Sequence, residues 1–72
     1  MAEKKKSTRP IIGVATTGLN LREEPNTDSD ILYVIPEGHP VVIIGENDEQ
    51  FYNVMVEGLV GYCVKSYIEI KK

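Results

Sequence analysis

The 72-residue sequence has no tryptophan, a single cysteine and a single histidine. With Cys63 as the only cysteine, no disulfide can form within the chain, and Cys63 with His39 is too small a ligand set for structural zinc. A chain this short buries only about 60% of its unfolded surface, which makes its stability marginal without such cross-links. We therefore expect no metal and no cofactor, and a fold that depends on compact hydrophobic packing or on a larger parent chain.

Long hydrophobic runs are also missing. The longest apolar run, Ile31 to Ile35, is far too short to cross a bilayer, so we expect no membrane insertion. The N-terminal MAEKKKSTRP is charged but is not followed by the apolar h-region of a signal peptide, so we expect no signal peptide in these residues. Both a cytoplasmic protein and a piece of an exported one remain compatible with the lone cysteine.

Basic residues are scarce in the middle of the chain. Between Gly13 and Ile70, Arg22 and Lys65 stand against ten Asp and Glu residues, a net charge of −8. Such a field repels phosphate backbones, so we expect no nucleic-acid partner. The other basic residues lie near the two ends. We interpret residues 1–10 as a flexible basic leader and residues 11–72 as one folded domain.

Helical periodicity is missing from Ile11 onward, and period-two alternation dominates. The alternating runs are rich in Val, Ile and Tyr, which suit a half-buried pleated surface. They predict strands at Ile12–Thr16, Leu19–Arg22, Ile31–Ile35, Val41–Glu46, Phe51–Val56, Leu59–Cys63 and Ile68–Ile70. So many short strands in so small a chain predict an all-β fold, as a small barrel or a two-sheet sandwich.

The segments between these runs carry turn signals. Pro36 to Pro40 contains two prolines and a glycine, which interrupt a helix or a central strand. Glu46 to Gln50 is a polar connection. Glu57-Gly58 predicts a two-residue hairpin loop, so that Phe51 to Cys63 forms one tight hairpin.

An ordered set of residues resembles the bacterial SH3 domain. It comprises Gly18-Leu19-Asn20-Leu21-Arg22-x-x-Pro25-x-Thr27, Ile31-Leu32, Pro36-x-Gly38, Val41-x-Ile43, and Phe51-Tyr52-x-Val54-x-Val56-x-Gly58-x-x-Gly61-Tyr62-x-x-x-x-Tyr67. The resemblance extends from about Ile12 to Ile70, and its strength lies in the order and spacing of the whole set.

The resemblance implies an SH3-like barrel of five to seven short antiparallel strands. Residues 23–30 then correspond to the long RT loop, and Val64–Tyr67 to a short 3-10 turn. The sequence departs from the family at two positions, with Phe51 where tryptophan is usual and Glu24 where glycine is frequent. Phe51 lacks an indole N–H for a ligand, and Glu24 requires ordinary backbone angles.

In this family the domains are mostly non-catalytic modules of secreted or phage-borne cell-wall hydrolases, such as amidases and endopeptidases. They tether the enzyme to peptidoglycan, often to its peptide part. The resemblance therefore implies an extracellular, cell-wall location and a covalently linked catalytic domain.

The residues themselves offer little for catalysis. His39 lies in a turn far along the chain from Cys63, and we expect an exposed histidine and an inert core thiol rather than a nucleophile and base. The acids of residues 23–30 lack the D-x-D-x-D-G spacing of a Ca²⁺ loop, and clustered loop acids are usually only solvated. We expect no catalytic residues, no metal site and no enzyme activity.

Binding is the better supported role. Four of the five aromatic residues are tyrosines. If residues 23–30 fold over the barrel as they do in the family, their acids border one shallow cleft lined by tyrosine rings. Aromatic faces beside carboxylates suit a cationic or amine-bearing ligand. The predicted binding residues are Asn20, Arg22, Glu23, Glu24, Asn26, Asp28, Tyr33, Tyr52, Tyr62 and Tyr67. Arg22 has two interpretations: a clamp that bonds loop carbonyls or carboxylates and covers a tyrosine ring, or a group that captures a ligand carboxylate.

These observations leave two functional hypotheses. The first is a cell-wall targeting module that binds the stem peptide or cross-bridge of peptidoglycan and so tethers an attached hydrolase. The alternative is a protein–protein adaptor whose cleft takes an extended or proline-rich peptide.

Overall fold

The computed structural model describes residues 11–71 of this protein, so the predicted leader at residues 1–10 lies outside the described residues. The described chain consists of β-strands and one 3-10 turn, which confirms the all-β prediction. The elements are β1 (Ile11–Ala15), β2 (Leu19–Arg22), β3 (Ile31–Ile35), β4 (Pro40–Glu46), β5 (Phe51–Val56), β6 (Leu59–Val64), the 3-10 turn (Lys65–Tyr67) and β7 (Ile68–Ile70).

The seven strands form one antiparallel sheet in the order β3-β2-β6-β5-β4-β1-β7. β4, β5 and β6 are consecutive neighbours in this order, and we call them the meander. β2, residues 23–30 and β3 form a second unit, which we call the acidic hairpin. The hairpin joins the meander at a single register pair, Arg22 with Tyr62.

Alternation in the sequence places one face of each strand in the core. In β2, Leu19 and Leu21 are buried, whereas Asn20 and Arg22 between them are partly exposed. Both leucines thus belong to the core, as period-two alternation predicts. The core consists of Ala15, Leu19, Leu21, Ile35, Val41, Ile43, Val54, Val56, Cys63 and Ile68.

The two rings at the start of β5 lie on opposite faces, as the alternation predicts. Tyr52 pairs with the core residue Cys63 and packs against the core, although it remains partly exposed. Phe51 pairs with Val64 on the other face, yet it is only 3% exposed. The apolar ring that stands in place of the family's tryptophan is thus buried outside the main core.

The turns follow the predicted chemistry with small shifts. Glu57 and Gly58 both have positive φ, 53° and 78°, so the β5–β6 hairpin closes in two residues as expected. Glu57 is the only non-glycine with positive φ among residues 11–71, so Glu24 has the ordinary backbone angles it requires. β4 begins one residue early, at Pro40, because a proline is tolerated at the first position of a strand.

Candidate functional site

The acidic loop, residues 23–30, is held in shape by its own polar groups. The backbone N–H of Glu23 donates to the Asp30 carbonyl at 2.9 Å, which closes the base of the loop. The Ser29 hydroxyl donates to the Glu24 carbonyl at 3.0 Å, and Asn26 Oδ1 accepts the Asp28 N–H at 2.9 Å. The loop thus satisfies much of its backbone internally, and its carboxylates project from an ordered frame.

Arg22 is the clamp at the base of this loop. Its Nη1 donates to the Ser29 carbonyl at 2.9 Å. A loop carbonyl is therefore its observed partner, and the predicted stacking on a tyrosine ring is not seen: the one cation–π contact among residues 11–71 joins Lys65 to Tyr52. A guanidinium carries five N–H donors, so holding Ser29 leaves others for a ligand.

Four predicted residues line a shallow depression in the acidic loop, with a volume of about 320 Å³. Its full lining is Glu23, Glu24, Asn26, Asp28, Ser29 and Asp30. The prediction that these side chains lie together is met, but no tyrosine borders the depression. It is a wholly polar surface rather than a tyrosine-lined cleft.

A second depression, of about 180 Å³, lies between the acidic loop and the 3-10 turn, and we call it the Tyr67 groove. It brings together three predicted residues, Asn20, Arg22 and Tyr67. Tyr67 is 48% exposed and so offers an open aromatic surface. Its remaining lining is Gly18, Leu19, Thr27 and Val64.

Tyr62 does not line the Tyr67 groove, but it lies next to one of the residues that do. It pairs with Arg22 on one side and with Asn53 on the other. It stands on the same face as Val64, two residues further along β6, because strand side chains alternate. Asn53 Oδ1 is buried and has no hydrogen-bond partner among the described residues.

The remaining two tyrosines lie elsewhere. Tyr33 packs against the core from β3. Tyr52 lines a third depression of about 200 Å³, formed mainly by apolar side chains of β1, β4 and β7. Lys65 lies over the Tyr52 ring at 5.1 Å from its centroid and pairs with Glu46 at 3.1 Å. The predicted single cleft is therefore wrong in this respect, because inward-facing positions on β3 and β5 carry these rings away from the acidic loop.

The residues considered for catalysis do not form a reactive pair. Cys63 is fully buried, and burial raises the pKa of its thiol to about 12, which confirms the inert core thiol. His39 is half-buried rather than exposed, and its Nε2 lies 3.3 Å from the Glu57 carboxylate. Across residues 11–71, no three His, Cys, Asp or Glu side chains gather as metal ligands.

Residues 11–71 contain no helix with the length and apolar character needed to cross a membrane.

Sequence reasoning missed the other four residues that line the Tyr67 groove, which are Gly18, Leu19, Thr27 and Val64. Thr27 connects the acidic loop to the groove, and Val64 forms part of the groove just before the 3-10 turn. Thr27 belongs to the Pro25-x-Thr27 element of the family pattern, so that motif was the available signal. Val64 carries no such signal, because only the turn of the chain after β6 brings it to the groove.

Comparisons with known proteins agree with the all-β fold. A family model described as the bacterial SH3 domain matches residues 17–69. The solved structure of NlpC2 from Trichomonas vaginalis superposes with a TM-score of 0.80 at 25% sequence identity, covering 88% of this chain. The chain spans only 24% of that structure's own chain. Among curated proteins no match is found.

Proposed function

The chain belongs to the bacterial SH3 domain family, and from this premise we propose that it is a targeting module that binds peptidoglycan through its stem peptide or cross-bridge. Domains of this family are binding domains and are typically non-catalytic. In this proposal the module is covalently linked to a cell-wall hydrolase, such as an amidase or endopeptidase, and acts at the cell wall.

The observation that carries the proposal is the position of the Tyr67 groove. Arg22 lines the groove, and its guanidinium is oriented by the Ser29 carbonyl. Thr27 lines the groove from within the acidic loop, and Tyr67 supplies an exposed ring. A cation and an aromatic surface thus share one groove that borders the carboxylates of the acidic loop.

That arrangement suits a short peptide with both an amino and a carboxyl group. The remaining N–H donors of Arg22 would bond a ligand carbonyl or carboxylate, and such charge-assisted bonds are among the stronger ones. The carboxylates of the acidic loop would attract the amino group, and the Tyr67 ring would cover apolar parts of the peptide. Stem peptides and their cross-bridges carry both kinds of charged end.

Weak binding is sufficient for this role. A module linked to an enzyme raises the local concentration of that enzyme near the wall, and the gain comes from the linkage rather than from tight contacts. A groove of about 180 Å³ with few polar contacts is in keeping with modest affinity.

Co-sedimentation with purified sacculi tests the proposal. We expect the domain in the pellet, and Tyr67→Ala to move it into the supernatant, because the exposed ring is lost without disturbing the core. Ile44→Ala is the matched control, since Ile44 is 52% exposed and lines the separate depression beside Tyr52. Recovery of the unaltered domain wholly in the supernatant at low and moderate salt would contradict the proposal.

The alternative function is an adaptor for extended or proline-rich peptides. One observation favours it: the exposed Tyr67 ring beside Val64 is the kind of surface on which polyproline-type ligands dock. An NMR titration with muropeptides and, separately, with a proline-rich peptide separates the two. Shifts at Arg22, Thr27 and Tyr67 with only the proline-rich peptide would establish the adaptor instead.

A further inference from the structure

The two edges of the sheet differ in how well they are protected against pairing with another strand. β7 is an edge of three residues, and its middle residue is the exposed, charged Glu69. β3 is an edge of five residues, Ile31 to Ile35, without a charge or a proline. Short length, charges and prolines are the usual means by which proteins block edge pairing. A bulge also protects an edge, and β3 has one register shift against β2, opposite Leu21 and Arg22. β3 lacks the other protections and is the less protected edge.

The side chains of β3 reinforce this difference. Tyr33 and Ile35 face the core, whereas Leu32 and Val34 alternate with them and point outward. Val34 is 60% exposed, Leu32 is 40% exposed and Ile31 is 48% exposed. A neighbouring strand would cover all three of these apolar side chains and would pair with the outward backbone groups of β3.

Charge distinguishes the possible occupants of this edge. Asp30 directly precedes the strand and Glu37 follows two residues after its end, and both are exposed. A second copy of this domain paired antiparallel through β3 would bring the Asp30 end of one copy toward the Glu37 end of the other, which is repulsive. A peptide with basic residues at both ends would meet a carboxylate at each end of the strand.

We propose that the free edge of β3 is a second binding surface, which takes an extended peptide with basic ends and apolar residues between them. The peptide adds a strand to the seven-stranded sheet next to β3. No β3 residue lines the Tyr67 groove, although Val34 pairs in register with Asn20, which does. The proposal does not depend on peptidoglycan binding.

A capped synthetic peptide, Lys-Val-Thr-Val-Thr-Lys, is the probe, titrated into the full chain and followed by NMR. We expect backbone amide shifts and slowed hydrogen exchange across β3. Val34→Lys weakens binding at least about tenfold, because a charge on an edge strand opposes pairing and repels the basic peptide. Val60→Lys is the matched control: Val60 is 57% exposed, but its strand β6 lies inside the sheet, between β2 and β5, rather than at an end of the strand order.

Peptides N-methylated at alternate residues provide a second test that needs no protein variant. Only every second amide of an added strand faces β3. One methylation pattern therefore abolishes binding and the other leaves it intact. Equal effects of the two patterns, equal weakening by Val34→Lys and Val60→Lys, or shifts confined to the Tyr67 groove would each overturn the proposal. Self-association that Val34→Lys removes, in sedimentation equilibrium without peptide, would assign the edge to a second copy instead.

Discussion

The meander and the acidic hairpin are both built from antiparallel strands, but they differ in the lengths of their strands and of their connections. In the meander, the strands are six or seven residues long, and the connection between β5 and β6 takes only two residues. In the hairpin, strands of four and five residues flank the eight-residue acidic loop, residues 23–30. The meander contributes half of the core, and the hairpin carries most of the predicted binding residues.

This difference separates stability from recognition within a very small domain. Long strands with short turns bury apolar side chains at little loop cost, and so the meander stabilises the fold. The hairpin buries Leu19, Leu21 and Ile35 on one side and leaves polar and apolar groups open on the other. The exposed side chains of the hairpin, and with them its binding properties, can therefore change without loss of the buried core residues.

The sharpest test of this comparison is one substitution made in both units. Val54 in β5 is fully buried, so Val54→Ala leaves a cavity and lowers the free energy of unfolding by about 2–3 kcal/mol. Val34 in β3 is 60% exposed, so Val34→Ala changes it by less than about 0.5 kcal/mol. Urea unfolding of both variants measures the difference. Equal losses of unfolding free energy would contradict the assignment of stability to the meander and of recognition to the hairpin.

The second test concerns the junction between the two units, where β2 contacts β6. A Cβ at Gly61 would lie 2.5 Å from the Arg22 carbonyl oxygen and 3.0 Å from Leu21 Cδ1, so β2 and β6 must separate. Gly61→Ala lowers the free energy of unfolding by about 1–3 kcal/mol, the usual cost of overpacking. Gly45→Ala in β4 is the control, because nothing lies within 4 Å of its Cβ. Thermal unfolding should rank Gly45→Ala close to the unaltered chain and Gly61→Ala well below it.

The third test concerns the burial of Cys63, a core residue in strand β6 of the meander. Its pKa of about 12, against an ordinary value of 9.0, means that the unfolded chain loses the thiol proton first as pH rises. The contribution of the protonated Cys63 thiol to the free energy of unfolding is therefore complete below pH 9.0 and declines as pH rises toward 12. We expect Cys63→Val to flatten this decline in chemical denaturation curves. The native thiol should also react with a thiol reagent far more slowly than in urea, and equal rates would contradict a closed interior.

The smallest expected effect concerns the turn between β4 and β5. The N–H of Gln50 and then that of Phe51 donate to Asp48 Oδ1, at 2.9 and 2.8 Å, and hold the pKa of this carboxyl below 3.8. Its contribution is complete above pH 3.8 and is lost as pH falls through the lower native pKa. Asp48→Ala should lower stability slightly at pH 7 and flatten the acid limb. A steeper acid limb in the variant would contradict this assignment.

Much of the fold was predictable because strand alternation and turn chemistry are local properties. Each predicted strand exists in the structure, with end points that differ by at most one residue. The 3-10 turn begins at Lys65, one residue later than the resemblance implied. The inward leucines of β2 and the two-residue turn at Glu57 and Gly58 follow from the pattern itself.

The candidate site was less predictable. Residues 23–30 are close in sequence, so their carboxylates had to lie together. The four tyrosines come from β3, β5, β6 and the 3-10 turn, and their positions depend on how those elements are arranged in space. Tyr52 shares a strand face with Val54, so it packs inward and away from the acids, while Tyr67 emerges beside Arg22.

The sequence by itself determined the strands, their buried faces, the turns and the acidic character of the loop, because each depends on neighbouring residues and on period-two geometry. Only the tertiary structure decided that Arg22, Thr27 and Tyr67 meet in one groove, that Tyr52 lies elsewhere, and that β3 is an open edge. Those features depend on strand order and on contacts between distant residues, which a linear pattern does not encode.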